Sequence, residues 1–140
     1  MKPSREEYES IVYRIAERSE HIRYSDLVLI PLGRKLATLA GSIHFANDVR
    51  LEIREALDFD LDDWITGYSY AVYKDQKKQY WYDSQEHPSD PFLQATHPHH
   101  KHVPPDIKHH RIPAPSISFS GANLIFLIQE IEKEFFSGAR

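Results

Sequence analysis

The stretch Leu39-Ala40-Gly41-Ser42-Ile43-His44-Phe45-Ala46-Asn47-Asp48-Val49-Arg50-Leu51-Glu52-Ile53-Arg54 decides the fold. From Lys35 onward the hydrophobic period is two: Leu39, Gly41, Ile43 and Phe45 alternate with Thr38, Ala40, Ser42 and His44. Asn47-Asp48 supplies turn chemistry, after which Val49, Leu51 and Ile53 alternate with Arg50, Glu52 and Arg54. A hairpin with one buried face follows from this pattern. A second pair comes next, Gly67-Tyr68-Ser69-Tyr70-Ala71-Val72-Tyr73 and Gln79-Tyr80-Trp81-Tyr82-Asp83, joined by the polar turn Asp75-Gln76-Lys77-Lys78. Residues 35–83 are therefore predicted to form a four-stranded antiparallel meander.

The flanks read as helices. From residue 4 to residue 20, Tyr8, Ile11, Val12, Ile15 and Ser19 share one face, and Ser4 with Glu7 makes a capping box. Leu124, Leu127, Ile128, Ile131 and Phe135 mark a second amphipathic helix over 122–136, closed by Ser137-Gly138. The run Leu27-Val28-Leu29-Ile30, stopped by Pro31 and Gly33, fits an edge strand or a helix end, and Ile117-Ser118-Phe119 a short returning strand. The expected architecture is one α+β domain over 1–140, with an antiparallel sheet of four to five strands. It divides into a helix and connection (1–34), the meander (35–83), a His/Pro-rich functional loop (84–116), and a short strand with the C-terminal helix (117–136).

Composition removes several function classes. A hydrophobic share of 41% with 27% charged residues is that of a globular domain. The net charge of -4 confines any nucleic-acid contact to a local basic patch. The chain has no cysteine, which excludes disulfides, thiolate metal ligands and a cysteine nucleophile, and fits a cytoplasmic location. No apolar run approaches the roughly 20 residues that span a bilayer, and the amino terminus is not signal-like, so no membrane association is expected.

Chemistry concentrates in the loop. Six of the nine histidines lie between residues 97 and 110, together with Lys101 and Lys108 and with Arg111 next to them, and seven of the nine prolines lie between 88 and 115. Prolines at that density exclude regular helix, and a loop of about 30 residues is uncommon unless functional or disordered. A catalytic zinc takes three protein ligands. In an extended segment His100 pairs with His102 and His97 with His99, so ligands come in twos; His44, His87, His109 and Glu86 are the candidates for a third. Metal-free acid–base chemistry on RNA fits the inventory better, because the 2′-hydroxyl is already present as nucleophile. Two histidines and Lys101 or Arg111 then complete the set. Tyr82 and Asp83 stand where the last strand enters the loop, which makes them site candidates. Against these readings stand plain structural roles: cross-strand packing for the tyrosines, a solvated strand position for Arg54, and a partner-binding loop without chemistry.

Gly41-Ser42-Ile43-His44-Phe45, Val49-Arg50-Leu51-Glu52-Ile53-Arg54-Glu55, Tyr68-Ser69-Tyr70, Tyr82-Asp83 and above all Pro98-His99-His100-Lys101-His102 resemble the TumE-type toxin family of prokaryotic type II toxin-antitoxin systems, over residues 36–135. The resemblance implies a small cytoplasmic toxin acting on RNA or translation, neutralised by a cognate antitoxin protein; apart from the resemblance, a homodimer is left open. Carried over position by position, the family-like polar residues are Arg54, Glu55, Tyr68, Tyr70, Tyr82, Asp83 and His99 through His102. Ser84 and Glu86-His87 depart from the family pattern, and Lys108-His109-His110-Arg111 lies outside it. The expectation is a metal-independent ribonuclease without cofactor, with His99, His100, Lys101, His102 and Tyr82 catalytic. Arg54, Tyr68, Tyr70, Asp83, His87, Lys108 and Arg111 would contact substrate. A His-ligated metal-dependent hydrolase and a non-catalytic interaction module are the alternatives.

Overall fold

The structure, a computed structural model, describes residues 2–84, 99–104, 111–114 and 116–137. In chain order the elements are α1 (Arg5–Tyr13), a 3-10 turn (Ile15–Arg18), β1 (Ile22–Ser25), β2 (Val28–Leu32), β3 (Leu36–Phe45), β4 (Val49–Asp58), β5 (Ile65–Lys74), β6 (Lys77–Asp83), β7 (His100–His102), β8 (Arg111–Pro113) and α2 (Asn123–Phe135). The protein is α+β, with all eight strands of the described residues in one antiparallel sheet. β1 and β2 share one edge of β3, and the order then runs β3-β4-β5-β6-β7-β8.

The predicted meander is the centre of this sheet. β3 and β4 pair in register from Leu36↔Asp58 to Phe45↔Val49, and Asn47 and Asp48 take positive φ angles of 61° and 59° in the connection. β5 and β6 are joined at Asp75-Gln76, both also at positive φ, the combination a tight two-residue hairpin demands. The strand count is larger than expected for two reasons. The ambiguous run at 27–30 is an edge strand, β2, and the segment read as a loop contributes β7 and β8.

Two further expectations are corrected. The first helix ends at Tyr13 rather than near residue 20. Past the 3-10 turn, Ser19 Oγ accepts from His21 N–H at 3.1 Å, a local bond that competes with a continuing helix, and donates to Glu132 Oε2 of α2 at 2.5 Å. Ile117–Phe119 is not a strand: Ser118 N–H donates to Asn123 Oδ1 and Asn123 Nδ2 donates to Ser118 O, folding the segment onto the start of α2.

The inner face of the sheet carries Leu39, Ile43, Leu51, Ile53, Leu57, Tyr70 and Val72, all buried. Tyr8 and Val12 of α1 and Leu124, Leu127, Ile128 and Ile131 of α2 cover it. Each such side chain contributes about 1.5–3 kcal/mol of burial, so this layer holds the helices to the sheet. A polar network lies within it. Glu55 accepts from the hydroxyls of Tyr8 and Tyr70, each at 2.5 Å, and Asn123 Nδ2 donates to the Tyr70 hydroxyl at 3.0 Å. This network ties β4, β5 and both helices at one point. Among the described residues no helix is long and apolar enough to cross a membrane.

Candidate active site

Strand alternation sorts the candidate residues onto two faces. β6 pairs with β7 through Trp81↔His102, Tyr82↔Lys101 and Asp83↔His100. Tyr82 stands opposite Tyr70 as well, so Tyr82 and Lys101 belong to the inner, helix-covered face. Trp81, Asp83, His100 and His102 belong to the outer face.

On that outer face three side chains converge. His100 Nε2 lies 2.7 Å from Asp83 Oδ1, His102 Nε2 lies 3.4 Å from Asp83 Oδ2, and the two Nε2 atoms are 3.1 Å apart. Trp81 Nε1 donates to Asp83 Oδ2 at 3.2 Å, and its ring packs on the His102 ring at 4.2 Å, so one neighbour orients both the carboxylate and an imidazole. The side chains of His100 and His102 are 1% and 4% exposed and that of Asp83 is 20% exposed, so the cluster meets solvent through its carboxylate.

The same row continues across the sheet. His100 is opposite Asp83, Asp83 opposite Ser69, and Ser69 opposite Arg54, which is exposed. Arg54 and Ser69 line an open hollow with Ile30, Thr38, Ala56 and Gly67. A cation, a hydroxyl, a carboxylate and an imidazole thus stand side by side on one face.

The inner face holds a different set. Glu130 of α2 accepts from the Tyr82 hydroxyl at 2.6 Å and from Lys101 Nζ at 3.1 Å, and Lys101 Nζ sits 4.2 Å above the Tyr80 ring. Burial, and after it the charge of Glu130, raises the Tyr82 pKa well above the usual phenol range. Lys101 and Tyr82 are therefore on the far side of the sheet from His100 and His102. Tyr70 is fully buried and bonded to Glu55 and Asn123. Tyr68 is also inward, its hydroxyl 2.6 Å from His99 Nδ1, with His99 stacked on its ring and close to Phe119. Burial first, and then the charge of Asp83, raises the Tyr68 pKa as well.

The third partner for His100 and His102 is Asp83, which the sequence had offered as a substrate contact. His44, one of the candidates for that place, is instead 3.3 Å from Asp26 and stacked on Tyr24. Glu86, His87, His97, Lys108, His109 and His110 lie outside the described residues. Arg111 occupies β8 opposite His102. Sequence reasoning missed Glu130, Asn123 and Tyr8. They are polar residues on otherwise apolar helix faces, and only the packing of the helices on the sheet reveals their partners.

An antiparallel sheet with a helix layer on one face and a histidine–carboxylate centre near the far edge of the other defines a small α+β protein with a built polar site. The family model described as Toxin TumE matches residues 12–135, from within α1 to the end of α2, and the chain belongs to that toxin family. No curated protein and no solved structure matches the chain.

Proposed function

We propose that this toxin acts by cleaving RNA, with Asp83, His100 and His102 as the reacting centre and Arg54 as the contact for the substrate phosphate. The observation that carries the reading is the row Arg54, Ser69, Asp83, His100 on one face of four neighbouring strands. At about 4.8 Å per strand the row spans about 14 Å, room for a short piece of single-stranded backbone. In the reaction the ribose 2′-oxygen attacks the adjacent phosphorus and the bond from phosphorus to the 5′-oxygen breaks. The 2′-hydroxyl proton passes to a base of the centre and the departing 5′-oxygen gains a proton, leaving a 2′,3′-cyclic phosphate and a 5′-hydroxyl. The Arg54 guanidinium offsets the charge that builds on the non-bridging oxygens. The family also supports a neutralising partner in general, and we assign that role to a cognate antitoxin protein.

Untagged protein incubated with a defined RNA oligonucleotide tests this. The expected result is cleavage that falls at least about 100-fold in Asp83→Asn and in His102→Gln, while Arg54→Ala raises KM more than it lowers kcat. RNA left intact by folded wild-type protein, or cut equally well by both variants, overturns the reading.

A further inference from the structure

We propose that Asp83, His100 and His102 are the ligands of a divalent transition metal. The binding itself stands independently of RNA cleavage; only its catalytic consequence rests on that reading. Two observations argue for it.

The first is geometry. Zinc bound tetrahedrally at about 2.0–2.1 Å holds its ligands about 3.3 Å apart. His100 Nε2 lies 2.7 Å from Asp83 Oδ1 and 3.1 Å from His102 Nε2, His102 Nε2 lies 3.4 Å from Asp83 Oδ2, and one ligand atom from each of the three residues falls within 4.8 Å of the others, a grouping that small side-chain shifts would bring to the spacing of a bound ion. All three ligands sit on paired strands, two at i and i+2 of β7 and the third directly across the ladder in β6. The site is therefore set by the sheet and needs no loop rearrangement to form. The Trp81 N–H on Asp83 Oδ2 is the kind of outer hydrogen bond that fixes a metal-binding carboxylate. The two imidazoles are almost fully enclosed and the open side faces the carboxylate, which leaves a direction for water or a phosphate oxygen.

The second is charge. As metal ligands, one carboxylate and two imidazoles bring one negative charge to the centre. A divalent cation reverses its sign to one positive charge, in line with Arg54 further along the row. Imidazole ligands select zinc, cobalt, nickel or copper over magnesium and calcium, whose coordination favours oxygen. When bound, such an ion would supply Lewis-acid stabilisation of phosphate charge and an activated water to take the 2′-hydroxyl proton, a role its imidazole and carboxylate ligands could not then fill. Trp81 then acts as a positioning residue rather than a catalytic one.

The test uses untagged full-length protein, stripped with chelator and dialysed against Zn²⁺ or Co²⁺, with metal content and Tm measured for wild type, Asp83→Asn and His102→Gln. The expected result is about one tightly held ion per chain in wild type, a Tm raised by Zn²⁺ and not by Mg²⁺, and at least a tenfold weaker affinity in each variant. A Co²⁺ visible spectrum that disappears in His102→Gln gives a readout independent of folding stability. No tight ion in wild type, or the same ion and the same spectrum in both variants, overturns the site, the second result placing the metal on other histidines. Tight metal without RNA cleavage overturns the ribonuclease reading and leaves the site standing. RNA cleavage at full rate by stripped protein overturns the catalytic use of the metal.

Discussion

Asp83 stands opposite His100, and Glu55 sits on the other side of the same sheet; the two carboxylates differ in everything that surrounds them. Glu55 is buried among the hydroxyls of Tyr8 and Tyr70, and burial raises its pKa to about 6 against the ordinary 4.5. A carboxyl raised in this way favours the folded state while protonated. Its contribution is complete below about pH 4.5 and is lost as pH rises through about 6, a change of about 2 kcal/mol. Replacement by glutamine removes that slope. Urea unfolding of wild type and Glu55→Gln at pH 4.5 and pH 7.5 should show wild type losing about 2 kcal/mol relative to the variant; parallel behaviour of the two proteins would remove Glu55 from the account. The partners of Glu55 could not be read from the sequence. Alternation placed it with Leu51 and Ile53, but a glutamate on an apolar face gives no sign of which hydroxyls will meet it.

At the scale of elements, the meander was legible because alternation and turn chemistry agree over nearly fifty residues. The histidine segment was not. Three-residue strands such as β7 and β8 carry too little alternation to announce themselves, and the prolines around them argue for a loop. Once β7 is seen as a strand, the pairing of His100 with His102 on one face follows from the same alternation that the sequence reading used. What it lacked was the register with β6, which supplies Asp83. Gly41 is a further case of a long-range contact with no local signature. It sits at φ +134°, and a Cβ there would lie 2.7 Å from the Asp26 carbonyl oxygen, where β1 gives way to β2 beside β3. Gly41→Ala should lower stability by about 2 kcal/mol or more, seen as a lower urea midpoint with an unchanged slope. In the β5–β6 hairpin, Gln76 holds a φ of 70° that glycine adopts at lower cost. Gln76→Gly should raise stability by about 0.5–1 kcal/mol, and a drop would mean that the Gln76 side chain has a role in the turn.

On the scale of the molecule, the sheet separates two polar sets that are neighbours in sequence. Lys101 and Tyr82 hold α2 through Glu130 on one face, while His100, His102 and Asp83 face outward on the other. The Lys101–Glu130 pair is about four-fifths buried on both sides, so Lys101→Met should cost about 2 kcal/mol of stability, measured by urea unfolding. The outward set is the one aligned with Arg54, and the ribonuclease reading we propose places the chemistry on that face and leaves the inner set to stability. The most direct measurement is the cleavage of a defined RNA by untagged wild-type protein and Asp83→Asn side by side, with both shown folded by circular dichroism. The account predicts a 2′,3′-cyclic phosphate product from wild type and at least about a 100-fold slower reaction from the variant; equal rates from the two proteins would contradict it.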